Sequence, residues 1–148
     1  MNDIKKYYDT YMSPLVVPRL TLNNFTSCGS LVDPIFKVST TVVFFYNLDC
    51  RFCQEAAPQI TRFATQYSNK LNVKVVAMDL TTENSPLIQS SKHFPYTLGE
   101  TWPTIILFYQ GKPCSSYKGP RNAEALYEFI SKTIGIGSVC EFKYIPCD

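Results

Sequence analysis

The chain has 148 residues, of which 45% are hydrophobic and 18% charged, with a formal net charge of +2. This length suits one domain with a full-sized core, and the composition excludes a disordered chain. The charge is too small and too scattered for a nucleic-acid surface, and no apolar run reaches transmembrane length.

Residues 1–13 are polar and rich in tyrosine (Tyr7, Tyr8, Tyr11) and read as an N-terminal arm ended by Ser13-Pro14. They hold no apolar stretch of secretory-leader type, and the C-terminus carries no retention or prenylation signal. A cytoplasmic protein is therefore expected. Residues 16–22 alternate loosely and read as an edge strand interrupted by Pro18. Asn23 or Asn24 is expected to cap a short helix through Leu31, stopped near Asp33-Pro34. Residues 41–47 are a buried strand, rich in β-branched and aromatic side chains.

After a break at Asn47-Leu48-Asp49, Phe52, Ala56, Ile60, Phe63, Ala64 and Tyr67 recur at helical spacing. This predicts a helix from Cys50 to about Ser68, kinked at Pro58. Residues 73–79 form a further strand, and residues 81–94 a shorter helix with Pro86 in its first turn. Residues 104–110 are a strand, and Gly111-Lys112-Pro113 turns it into an antiparallel return over residues 114–118. Asn122 caps a last helix with Leu126, Phe129, Ile130, Thr133 and Ile134 on one face. The order β-α-β-α-β-α-β-β-α predicts an α/β domain over residues 14–135, followed by a tail, 136–148. Its mixed sheet of about five strands would carry helices on both faces.

Two cysteines open the long helix. The first turn of a helix presents unpaired N–H groups and the positive end of the macrodipole, so a thiolate on Cys50 is stabilised there. Arg51 adds a cation and Asp49 an opposing carboxylate. Cys53 is one turn on, within reach of a disulfide, which supplies an attacking and a resolving thiol. Two other readings compete. Cysteine is often simply buried. Zinc is the other, but it usually needs four ligands, and the sequence has no second Cys-x-x-Cys and only His93 as histidine. The strand–turn–helix setting favours redox chemistry. Of the remaining cysteines, Cys28 and Cys114 are expected to be unpaired. Cys140 and Cys147 are read either as closing a tail loop or as a second, shuttling pair. In a chain without a leader, six cysteines favour catalysis over a disulfide framework.

Four blocks then stand in order: Leu20-Thr-x-x-Asn24-Phe25, Phe45-Tyr46-x-x-x-Cys50-x-x-Cys53-x-x-x-x-Pro58, Trp102-Pro103-Thr104, and Tyr117-x-Gly119-x-Arg121. Over residues 14–135 the chain resembles the thioredoxin superfamily, in local wording a catalytic domain of protein disulfide isomerase. The resemblance implies the thioredoxin fold and thiol–disulfide exchange through Cys50 and Cys53, without an organic cofactor. It implies a cis bond before Pro103, with Trp102, Pro103 and Thr104 holding an extended substrate beside Cys50. Asp49, Arg51 and Arg121 would modulate the pair. Partners would be protein or peptide thiols and disulfides, with a reductase, glutathione or a thiol oxidase as redox partner, and neither nucleic acid nor membrane. A signal-less oxidoreductase also fits packaging in a virus particle. The sequence departs from the family at Phe44 and Ala77, where an acid and a lysine usually form a proton relay, and at Asp49, where tryptophan is usual. These departures motivate an alternative: a thioredoxin-fold binding or structural module with little redox turnover.

Overall fold

Thr40–Tyr46 (β1) is built from threonine, valine and aromatic residues, and six of its seven positions are buried. Such a strand needs neighbours on both edges and cover on both faces. In the computed structural model, which describes residues 12–135 and 140–143, it has them. Val73–Asp79 (β2) lies parallel to β1 on one edge, and Thr104–Tyr109 (β3) antiparallel on the other. Lys112–Tyr117 (β4) continues the sheet beyond β3. The order is β2-β1-β3-β4, so β4 is an edge.

Alternation along β1 sends Val42, Phe44 and Tyr46 into one core, and Val43 and Phe45 into the other. The first core is closed by Arg51–Gln66 (α2), through Cys53, Ala56, Ala57, Ile60 and Phe63, and by Ala123–Gly135 (α5), through Ala123, Leu126 and Ile130. The second is closed by Pro34–Lys37 (α1) through Phe36 and by Pro86–Ser90 (α4) through Leu87, with the loop residues Tyr96 and Leu98. A short Ser68–Leu71 (α3) links α2 to β2.

The α/β architecture with helices on both faces is as expected, with four strands among the described residues rather than about five. Residues 16–22 do not form a strand. Pro18 offers a carbonyl but no N–H, so contact with β2 reduces to a single parallel bridge, Arg19 to Ala77. Residues 24–31 are not a helix. A 3-10 turn at Leu22–Asn24 is followed by a tight loop, closed by a bridge from Phe25 to Leu31. Thr26 Oγ1 accepts from the N–H groups of Cys28 and Ser30. Gly29 takes φ +82°, with the Phe94 ring where a Cβ would stand. The helix expected over 81–94 is shortened to α4 and a 3-10 turn, Ser91–His93. Asp79 and Thr81 satisfy each other ahead of it, and Asn84 Nδ2 donates to the Asp79 carbonyl.

The tail corrects the cysteine assignments. Cys114 is not free: it is bonded to Cys140, with Cα atoms 4.6 Å apart, and Cys28 is disulfide-bonded as well. This pairing also overturns a Cys140–Cys147 bridge, and with it the expectation that the extra cysteines are not a framework. Beside the disulfide, Phe142 N–H donates to the Cys114 carbonyl at 2.9 Å and Glu141 N–H to Ser115 Oγ at 3.1 Å. Residues 1–11 of the expected N-terminal arm (1–13) and Cys147 lie outside the described residues. No helix among the described residues is long and apolar enough to cross a membrane.

Candidate active site

The turn between β1 and α2 is fixed by side chains. Asn47 Oδ1 accepts the Asp49 N–H at 2.9 Å, and Thr81 Oγ1 accepts the Leu48 N–H at 2.8 Å. Gln54 Nε2 reaches back to the Leu48 carbonyl at 3.1 Å. Leu48 is buried and anchors the turn in the core. Cys50 is thereby held at the N-cap of α2, in the extended conformation a cap requires.

Cys50 and Cys53 form a disulfide with Cα atoms 5.2 Å apart. The Cys53 N–H donates to Cys50 Sγ at 3.0 Å. An orphan amide of the helix start therefore points at the outer sulfur, the interaction that stabilises a thiolate once the bond opens. The two sulfurs are unequal: Cys53 is 0% exposed and Cys50 is 9% exposed. Cys50 opens onto a groove shared with Asp49, Phe52, Thr101, Trp102 and Arg121.

Trp102–Pro103 is a cis peptide, as the resemblance implied. Trp102 is half-buried beside the first core, and Pro103 is buried. Thr104 is held by a 2.6 Å bond from its Oγ1 to the Thr101 carbonyl. The sequence-predicted residues Asp49, Cys50, Arg51, Trp102 and Arg121 thus meet around one groove, with Cys53 beneath it. Pro103 and Thr104 line the adjoining groove, which Arg121 and Thr101 also share.

Arg51 is only partly available to the sulfur, because it pairs along the helix with Glu55 at 3.5 Å, both side chains being exposed. Arg121 is exposed at the groove wall. The segment before α5 places it there: the Tyr117 hydroxyl donates to the Pro120 carbonyl, and Gly119 leaves room for the Tyr117 ring. Burial pushes the Tyr117 phenol up, and the charge of Arg121 opposes that shift.

Phe52 corrects the expected apolar stripe. It is 65% exposed, because Cys53, Ala56 and Ala57 take the buried positions of the first turns. It stands as an apolar side chain at the mouth of the groove. Its place between the two cysteines was the available signal. Phe44 and Ala77 are paired in register, 0% exposed and in the same core as Cys53, so both relay positions are apolar. Among the described residues no cluster of histidine, cysteine and carboxylates is placed to hold a metal.

A family model described as Thioredoxin matches residues 30–132. The probable protein disulfide-isomerase ER-60 of Schistosoma mansoni is 30% identical over 125 residues, covering 78% of this chain and 24% of the relative. A protein disulfide-isomerase of Medicago sativa is 31% identical over 121 residues, covering 80% and 22%. The chain thus spans less than a quarter of the length of these relatives. Among solved structures, human ERp44 aligns with a TM-score of 0.63 at 20% identity, over 80% of this chain and 30% of that one. Thioredoxin f2 of Chlamydomonas reinhardtii aligns with a TM-score of 0.59 at 17% identity, over 78% and 94%.

Proposed function

This chain belongs to the thioredoxin family, and we propose that it is a thiol–disulfide oxidoreductase acting on protein or peptide substrates through Cys50 and Cys53. The supporting observation is the inequality of the pair: an outer sulfur on a groove with an amide aimed at it, and an inner sulfur sealed beneath. In the reducing direction, the Cys50 thiolate attacks one sulfur of a substrate disulfide and expels the other as thiolate. Cys53, having given up its proton, then attacks Cys50 Sγ and releases the second substrate thiolate. Two electrons pass from the dithiol to the substrate, leaving the Cys50–Cys53 disulfide. Run backwards, the same steps oxidise a substrate dithiol. A reductase, glutathione or a thiol oxidase resets the pair. Trp102, Pro103 and Thr104 hold the substrate backbone, and Asp49, Arg51 and Arg121 tune the sulfur's charge.

The test is reduction of a protein disulfide by the wild type, Cys50→Ser and Cys53→Ser. Cys50→Ser should abolish turnover, and Cys53→Ser should accumulate a mixed disulfide on Cys50. Wild-type turnover no faster than the uncatalysed reaction would leave the alternative, a binding module of the same fold, which the apolar pair Phe44 and Ala77 favours. We propose a cytoplasmic location. Structural disulfides are rare there. Cell fractionation with rapid alkylation that finds the protein in an oxidising compartment, with Cys114–Cys140 closed, would sink it.

A further inference from the structure

The tail returns from α5 to the far edge of the sheet, beyond the stretch that matches the family model. Cys140 is tied to Cys114 in β4, and the next two residues are fastened alongside. Glu141 Oε1 accepts the Ser116 N–H at 3.2 Å, and the Phe142 ring lies 6.3 Å from that of Tyr96. These contacts have two consequences. The edge N–H of Ser116 and the Cys114 carbonyl are occupied, so a polypeptide cannot add to β4 there as a further strand. The tail also becomes one wall of a groove of about 540 Å³, whose other wall is the loop carrying Tyr96 and Glu100.

This groove runs into the reactive site. Pro103 and Arg121 line it, and it shares Thr101 and Arg121 with the groove that opens at Cys50. Its charges balance, Glu100 and Glu141 against Lys118 and Arg121, which disfavours a phosphate-rich ligand and suits a chain of mixed polarity. Its size lies within the range of about 300–1,000 Å³ that holds a drug-sized ligand, more than a reacting disulfide needs.

We propose that the tail segment 140–143, stapled by Cys114–Cys140, is a substrate-positioning wall. The residues flanking the reacting cysteine of an extended polypeptide lie between it and the 95–101 loop, with an apolar side chain against Phe142. The proposal rests on the oxidoreductase reading and adds where the substrate's selectivity resides. Phe142 acts by binding and not on the reacting sulfurs, so it should govern KM for polypeptides and leave small disulfides alone.

The experiment compares two substrates: a peptide disulfide with leucine on either side of its cysteine, and a small symmetrical aromatic disulfide. Each is measured with wild type, Phe142→Ala, Phe142→Leu, and the double variant Cys114→Ser with Cys140→Ser. Phe142→Ala and the double variant should raise KM for the peptide about fivefold or more. The leucine variant should recover most of that loss, and the rate with the small disulfide should not move. If the double variant loses its fold, Phe142→Ala, which keeps the disulfide, decides alone. An unchanged peptide KM, or equal losses on both substrates, overturns the tail's role. Absence of wild-type exchange with the small disulfide overturns the oxidoreductase reading itself.

Discussion

In the proposed exchange, Cys53 is the residue on which turnover depends, because it must lose a proton before it can expel substrate from Cys50. It is 0% exposed, and low dielectric disfavours a thiolate. The two positions able to supply a base or a compensating charge from the sheet are Phe44 and Ala77, partners in the β1–β2 register. Resolution of the mixed disulfide is therefore expected to be slow, with Arg121 as the available cation at the groove. Arg121→Ala should slow resolution by up to about tenfold near neutral pH. Phe44→Glu should speed it, but at a cost in stability. An uncompensated carboxylate there would cost on the order of 3–5 kcal/mol, besides losing the stacking of Phe44 on Tyr46 at 5.7 Å. Adding Ala77→Lys places an ammonium on the paired residue and should return part of that loss. Stopped-flow resolution rates across pH, with urea denaturation of the same variants, test both halves. Unchanged rates in all variants would mean that proton transfer is not limiting.

At the scale of elements, the seam between α2 and α5 is a polar clasp around Glu124. Arg62 Nη1 donates to it at 2.9 Å, the Tyr67 hydroxyl donates at 2.8 Å, and Gln59 Oε1 caps the Ala123 N–H at 3.1 Å. The hydrogen bond from Arg62, then that from Tyr67, hold the Glu124 carboxyl below its usual value of 4.5. A depressed acid contributes stability above its unfolded pKa and loses it as the pH falls through the folded one. The clasp is solvent-exposed, so its contribution is small. Wild type should be slightly more stable than Glu124→Gln at neutral pH, and the gap should close well below pH 4.5. A gap that widens on acidification would contradict the assignment.

Elements with a strong period and full burial, β1, β2, β3 and α5, were legible in the sequence. So was the start of α2 at Cys50, because strand, break and helix each leave a local signal. Residues 16–31 were not, because Pro18 and the left-handed Gly29 act through single backbone groups that no periodicity reports. Phe52 departs from the spacing for a related reason: the helical period places it near the apolar stripe, but Cys53, Ala56 and Ala57 fill the buried positions of the first turns and leave it exposed.

At the scale of the whole molecule, the tail was the part the sequence did not disclose. Spacing alone leaves disulfide connectivity open, and Cys114–Cys140 depends on a sheet edge that exists only after folding. Once formed, it closes a loop across a sequence separation of 26, which by chain entropy stabilises the fold by about 3.5 kcal/mol. The Cys50–Cys53 ring, with a separation of 3, contributes roughly half of that. The two bridges also differ in what holds them. Cys50 lines an open groove, whereas Cys114 is buried in β4 and its bridge to Cys140 is flanked by the hydrogen bonds of Glu141 and Phe142. A bridge that its surroundings hold closed is harder to reduce. In a graded glutathione series read by alkylation and mass spectrometry, Cys50–Cys53 should open first as a two-electron step, and Cys114–Cys140 only under more reducing conditions. Replacing Cys114 and Cys140 by alanine should lower the melting temperature by roughly 7–14 °C for a domain of this size, and Cys50→Ser with Cys53→Ser by less. Simultaneous reduction of both pairs, or a larger loss from the active-site substitutions, would show that the tail bridge is not what holds the sheet edge together.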